Sequence, residues 1–408
     1  MKKLEHNFKV AVVLTMLCLS AHGQNWNLAT APASVWISMA GSQNGSNLLA
    51  ATYSDPSFSS PGVIYASTNS GQTWQPTSAP SNFWFSVAAS SDGQRLVAGA
   101  YSDPTFAAGQ IFISTNGGQS WAASSAPAKN WQAVVSSANG VILAGATAND
   151  GIYISSNSGV DWVQSDAPAD NWQALAVSAN GSKMYATTPS GFYISTNSGL
   201  TWNLSSTAPA KCYSVACSLD GNQVFAGIVG AHFGDTDVGI YTSTNSGATW
   251  SQTTAPTDIF QNYQCLAIGT NGTVLAGAYS SDNLGQVYLS TDDGSTWKPQ
   301  NAPTNSWGCV YCSADGSILI AGEFNGSIYS AVNSPPTPRP ILTIKLIANQ
   351  ILLSWPVAPA GFQLQTTSVL NPPINWTNVS SGITQSGTNY YFTNNLTPPS
   401  AYFQLVKP

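Results

Sequence analysis

The side chains best suited to chemistry in this chain are carboxylates. Asp55 and Asp103 sit in the near-duplicate stretches Tyr53-Ser54-Asp55-Pro56-Ser57-Phe58 and Tyr101-Ser102-Asp103-Pro104-Thr105-Phe106, and Glu323 lies in a third loop. Two carboxyl groups within about 5 to 9.5 Å of one another would serve as acid and base on a glycosidic bond. Asp before Pro is equally a turn former. Asp150, Asp166, Asp170, Asp235, Asp237, Asp258 and Asp282 fall in loops of the same kind. Such a rim suits hydroxyl-rich ligands or a divalent cation held by oxygens. Cys309-x-x-Cys312 has redox or metal spacing, but it lies in a predicted strand, where residues three apart face opposite sides, and reads as small buried residues. Beyond the first 23 residues the one histidine is His232, which leaves zinc clusters and His-based triads without support. No catalytic set, metal or cofactor is expected.

The elements that must position these groups are repeats. Trp74, Trp121, Trp162, Trp202, Trp250 and Trp297 recur every 40 to 48 residues, each closing an S/T-x-N/D-x-G-x-x-W segment after a short apolar run. That period, made of β-type runs and turn residues, predicts propeller blades rather than a helical solenoid. Asn44-Gly45, Asp92-Gly93, Asn139-Gly140, Asn180-Gly181, Asp220-Gly221, Asn271-Gly272 and Asp315-Gly316, one pair to each repeat, each predict a hairpin turn with both central residues at positive φ, and hence seven blades. The seventh repeat has no closing Trp, whereas residues 26–32 match the segments that begin at the closing Trp of the other six. The N-terminal strand is therefore expected to complete the last blade and close the ring, leaving no open sheet edge. The fold class is all-β: a seven-bladed propeller of four-stranded blades over residues 24–333.

Eight residues before each Asn/Asp-Gly turn stand Trp36, Trp84, Trp131, Trp172, Cys212, Tyr263 and Trp307. They begin the innermost strands and should encircle the top of the central channel. Two readings stand: wedges buried between blades, or stacking platforms for sugar rings.

The repeat resembles the Asp-box (BNR) repeat of sialidases, sortilins, photosystem II assembly factors and some xyloglucan hydrolases. The resemblance covers the whole propeller and implies that the box is a structural turn on the bottom face, its acidic residue bonding the turn's backbone and its Trp packing between strands. Here Asn69, Asn116, Asn157, Asn197 and Asn245 take the acidic position and Asp292 keeps the carboxylate. Asn forms the same turn. Sialidase chemistry, as the family implies it, needs three arginines; the propeller holds only Arg95, on the bottom face. Xyloglucan hydrolases work across two propellers, and one is present.

Residues 1–23 read as a signal peptide: Lys2, Lys3 and Lys9, then an apolar run, then a small-residue site near Gly23. A secreted or cell-surface product is expected. Its removal takes 11 basic and 17 acidic side chains to 8 and 16, a balance that excludes nucleic acid as a partner. A Pro-rich linker spans 334–340. Residues 341–408 alternate apolar and polar positions, as in Ile351-Leu352-Leu353-Ser354-Trp355, and predict a small β-sandwich that resembles the fibronectin III-like modules of exported bacterial proteins. The sequence thus points to an exported, non-catalytic propeller that binds a glycan or surface macromolecule through its top face. Its rivals are a glycosidase using Asp55, Asp103 or Glu323, and a protein-assembly scaffold.

Overall fold

The structure, a computed structural model, describes residues 24–229, 238–257, 262–280, 282–333, 342–347, 350–357, 362–367, 377–395 and 402–406. The expected signal peptide and Pro-rich linker, and His232, Asp235, Asp237 and Asp258, lie outside the described residues. Chain contacts divide the protein into two compact units, one spanning Gly23–Asn333 and the other containing Ser334–Pro408.

The first unit is a β-propeller of four-stranded antiparallel sheets, with no helix among the described residues. Sheet 1 comprises Trp36–Gly41, Leu48–Thr52, Ile64–Ser67 and Gln75–Pro76. Five sheets of the same order come next, their first strands being Phe83–Ala89, Trp131–Ser136, Ala174–Val177, Cys212–Cys217 and Asn262–Ile268. Sheet 7 takes Trp307–Cys312, Ile318–Glu323 and Ile328–Val332, and its outer strand is Asn27–Leu28, with Asn27 opposite Ser330 and Leu28 opposite Tyr329.

Burial explains why each strand has its composition. Second strands such as LLAAT and VLAGAY are covered on both faces by neighbouring sheets and read as continuous apolar runs rich in Ala and Gly. Outer strands are two exposed residues long. The cores lie between sheets: Leu49, Ala51 and Ile64 of sheet 1 pack on Trp84, Val87 and Ala98 of sheet 2. Trp36 and Leu48 pack likewise on Tyr311 and Ile320 of sheet 7, so the last interface is built as the others are. A central cavity of about 350 Å³ is lined by the first strands, including Ser38, Ser86, Val134, Ala176, Ala216 and Ile268.

The hairpin turns differ from expectation. Asn44 and its counterparts are not at positive φ; Gly45 alone is, at 70°, and its N–H donates to Ser42 O at 2.8 Å. Ser42 Oγ donates to Asn44 Oδ1 (2.8 Å), and the Asn47 amide donates to Ser42 Oγ (3.0 Å). The preceding Ser and the Asx side chain stabilise a type I turn ending in a left-handed Gly, which replaces the type I′ turn. Two consecutive positive φ values occur instead in the repeat turn, as at Ser70 (56°) and Gly71 (80°).

Each repeat turn bonds to its own sheet's first hairpin, as Ser198 N does to Ser182 O, so both lie on one face. The loops between second and third strands bond to the connections between sheets, as Lys129 N does to Gly109 O, and form the opposite face. The five described cysteines are unbridged. Cys309 faces the sheet 7–sheet 1 core and Cys312 the sheet 6–sheet 7 core, on opposite sides of one strand. Burial pushes the Cys312 thiol up to about 12 and holds Cys309 well above its usual value.

The second unit contains one four-stranded and one three-stranded sheet that share a core of Ile351, Leu353, Trp355, Leu364 and Phe403. Ile351, Leu353 and Trp355 project from one face of the strand Gln350–Pro356, as a period of two requires.

Candidate functional site

The six ring aromatics do not face a ligand. Trp36, Trp84, Trp131, Trp172, Tyr263 and Trp307 are each 0% exposed. Every one packs on an aromatic of its own sheet's third strand: Trp36 on Tyr65 (5.3 Å between centroids), Trp84 on Phe112 (5.5 Å), Trp131 on Tyr153 (5.5 Å), Trp172 on Tyr193 (5.0 Å), Tyr263 on Tyr288 (6.0 Å) and Trp307 on Tyr329 (5.8 Å). They are wedges, because a large apolar side chain at the start of an innermost strand gains more from filling the gap between sheets than from solvent contact. With no exposed surface, none of the six can serve as a stacking platform for a sugar ring. Their indole N–H groups record the loops above them. Trp36 donates to Gly326 O (3.0 Å) and Trp172 to Asp150 O (2.9 Å), both in short loops of the preceding sheet. Trp84, Trp131 and Trp307 come after sheets with longer loops, and their buried N–H groups find no partner among the described residues.

The repeat-turn residues bond inward. Asn69 Oδ1 accepts from Thr73 N (3.0 Å), Ser67 Oγ receives Gly71 N (3.0 Å), and Trp74 Nε1 donates to Gly71 O (3.1 Å). Asn116, Asn157, Asn197, Asn245 and Asp292 accept from the equivalent amides at 2.8 to 3.0 Å. Trp162, Trp202, Trp250 and Trp297 repeat the indole bond, and Trp121 is half-buried.

The acidic residues are tied up one by one. Asp150 pairs with Lys129 at 2.6 Å. Asp166 accepts from Trp202 N (2.8 Å), a strut between sheets rather than part of a rim. Asp170 receives Ser190 Oγ (3.0 Å), and Ser280 donates to Asp282. Glu323, 6% exposed, accepts from Asn305 Nδ2 and Ser327 N, both at 2.6 Å, and so staples a turn to the incoming connection. Among the described residues no three His, Cys, Asp or Glu side chains come together as a metal site would need.

Asp55 and Asp103 each organise a loop. Asp55 Oδ1 accepts from Ser59 N (2.7 Å) and Ser60 N (3.0 Å), and Oδ2 from Ser57 Oγ (2.7 Å) and Ser59 Oγ (2.8 Å). The Ser57 hydroxyl foremost, then Ser59 and the Ser60 amide, hold its carboxyl down at about 2. Asp103 Oδ1 accepts from Thr105 N, Thr105 Oγ1 and Ala107 N, and the Thr105 hydroxyl chiefly lowers its pKa. A general acid must keep its proton near neutral pH. Neither residue is suited to that role.

What these loops display is aromatic. Phe58 N donates to Asp55 O and Phe106 N to Asp103 O, each at 3.0 Å, so Pro56 and Pro104 take the second position of a turn and the Phe lies in the left-handed region, at φ 57° and 64°. A bulky residue there costs about 1 to 3 kcal/mol, where Gly would cost nothing. Phe58 is 53% and Phe106 76% exposed. Phe106 stacks on Phe83 (5.1 Å, 23°), Phe83 contacts Tyr53 (5.2 Å), Tyr53 contacts Phe85 (5.9 Å), and Phe85 contacts Tyr101 (5.5 Å). This array joins the loops of sheets 1 and 2 to the first strand of sheet 2. Phe85 joins it because the pairing register slips between Trp84 and Ser86, a bulge that re-aims the extra residue. Sequence reasoning singled out the loop carboxylates and missed the rings beside them; the duplicated Phe after Asp-Pro-Ser/Thr was the signal.

No helix among the described residues is long and apolar enough to cross a membrane. Two solved structures share the fold. YCF48 bound to a D1 peptide is 15% identical over 78% of this chain and all of that one, with a TM-score of 0.56. The GH74 xyloglucanase of Xanthomonas campestris is 12% identical over 82% of this chain and 59% of that one, with a TM-score of 0.59. No curated protein matches the sequence. The family described as the DUF6242 beta propeller domain matches residues 104–329, more than half of the sequence, and the chain belongs to that family.

Proposed function

We propose that this protein is an exported, non-catalytic scaffold that takes a segment of another protein on its top face. The carrying observation is the aromatic array at the Asp55 and Asp103 loops, where two phenylalanines are held exposed in a backbone region that favours Gly. Strain kept at a surface site supports a role in recognition, most directly at Phe58, where no ring contact among the described residues offsets it. The peptide held by the YCF48 neighbour supports the same choice. Around that surface we read the seven sheets as a seven-bladed ring with Asp-box-type turns. The signal peptide is taken to be cleaved near Gly23, and the two-sheet C-terminal unit to be a fibronectin III-like accessory sandwich. Glycoside hydrolysis is disfavoured because Asp55 and Asp103 are ionised and Glu323 is spent on its own turn.

Selection from a random linear peptide display library against the full chain tests this reading, with Phe58→Gly/Phe106→Gly as the control surface. Peptides that bind the wild type and not the folded variant are the expected result. Equal binding to both, or binding of xyloglucan oligosaccharides without any peptide, would overturn it.

A further inference from the structure

The array has an electrostatic character that narrows the partner. Asp55 accepts four hydrogen bonds from its own loop, which uses its lone-pair directions but leaves its charge. Asp103 Oδ1 accepts three in the same way. Asp55 is thereby left without a free acceptor for sugar hydroxyls, and both carboxylates keep their charge. They still attract a cation, because attraction between charges needs no lone pair. The neighbouring cation, Lys129, is already paired with Asp150 at 2.6 Å, and Arg95 bonds Ser158 among the repeat turns of the opposite face. The rings beside these charges meet at 23° to 86°, so they offer no flat track for successive sugar rings. Phe58 and Phe106 do offer exposed ring surface, which attracts Arg and Lys.

Resting on the reading of the top face as a protein-binding surface, we propose that the Phe58 and Phe106 loops dock a positively charged polypeptide segment, its Arg or Lys side chains lying over the rings and beside Asp55 and Asp103. The two loops share the Asp-Pro turn and the left-handed Phe on adjacent sheets, so the segment meets two related cation positions. Charge supplies the preference for basic sequences and the rings supply contact area.

The experiment uses the full chain, peptides selected from the display library, their Arg/Lys→Gln counterparts and the Asp55→Asn/Asp103→Asn variant. Asn retains the Oδ1 acceptor that both loops use, so the loops should survive. Selected peptides should be rich in Arg and Lys, bind the Asn variant about tenfold more weakly, and lose affinity as salt shortens the range of the attraction. Neutral or acidic selected peptides would overturn the proposal while leaving the protein-binding reading intact, as would unchanged affinity in the Asn variant. Failure to select any peptide that distinguishes wild type from Phe58→Gly/Phe106→Gly would overturn both.

Discussion

The amide of Ala314 in sheet 7 donates to the carbonyl of Gln43 in sheet 1 at 2.8 Å. Gln43 donates in turn to Ser91 O, Ser91 to Ala138 O, Ala138 to Ala179 O and Ala179 to Leu219 O, while Thr270 donates to Ala314 O. The hairpin turns from sheet 6 through sheets 7 and 1 to sheet 5 are thus linked by main-chain bonds across the bottom face, and the last sheet is linked to the first in the same way. Beside this junction Tyr311 Oη donates to Ser42 O at 2.6 Å in the buried interface. Tyr311→Phe removes that bond alone and should cost about 1 kcal/mol. Urea unfolding of the variant measures it. An unchanged midpoint would mean that this junction adds nothing to closure.

The repeat turns depend on an acceptor, not on a charge. Asn197 Oδ1 accepts from Thr201 N, and Nδ2 donates to Thr201 Oγ1 at 2.9 Å. In Asp292 the same place is filled by a carboxylate that accepts from Thr296 N and Thr296 Oγ1. Asn197→Asp should therefore leave stability nearly unchanged, while Asn197→Ala should lose about 1 to 2 kcal/mol, as a lost cap does. Thermal unfolding of the pair separates acceptor from charge, and equal losses would refute the distinction.

The frame was legible because its signals are local. The Trp of each repeat turn, the Gly at positive φ and the apolar runs each act within a few residues, and the family resemblance reinforced them. The direction of the ring aromatics was not legible. Trp84 and Phe85 are adjacent in sequence, yet one is buried between sheets and the other reaches the array, because a bulge breaks the two-residue alternation between them. Nor does the stretch Asp103-Pro104-Thr105-Phe106 announce that its Phe will be held exposed at φ 64°, since propensity favours Gly there. In six of the seven hairpins a Ser two residues before the Asn/Asp bonds its side chain and supports type I over type I′, a signal that an Asn/Asp-Gly pair read alone does not carry.

Strain at Phe58 gives a test that separates recognition from stability. Among the described residues Phe58 makes no ring contact like the one Phe106 makes with Phe83. Phe58→Gly relieves the left-handed cost and should leave stability unchanged or raise it by about 1 kcal/mol, offset in part by the greater freedom of Gly in the unfolded chain. Peptide affinity should fall all the same. Calorimetric unfolding beside a binding titration reads both, and a variant that loses stability and keeps binding would assign Phe58 to packing.

The Asp55 loop predicts an unusual pH window. Its carboxyl is lowered from the ordinary 3.8 to about 2, so the native loop favours the ionised form. A lowered native pKa contributes stability that is complete above the unfolded value and is lost as pH falls through the native one. Binding of an Arg-rich peptide should therefore persist at pH 3, where an unperturbed carboxylate would be largely protonated, and should fade as pH approaches 2. Affinity measured across that range, with Asp55→Asn as the reference, tests the assignment. Loss centred near pH 4 would show that the loop does not hold the charge.

Glu323 separates the scaffold from a hydrolase most sharply. Both of its oxygens accept, one from Asn305 Nδ2 and one from Ser327 N. In Glu323→Gln one acceptor becomes a donor and faces another donor in a buried site, which should cost about 1 to 3 kcal/mol. As a staple, Glu323 would yield a less stable protein whose peptide binding is retained below its melting temperature. As a catalytic acid, it would yield an equally stable protein that loses glycoside turnover. Melting temperature and activity, measured together on that one variant, decide between them, because the two roles move opposite observables.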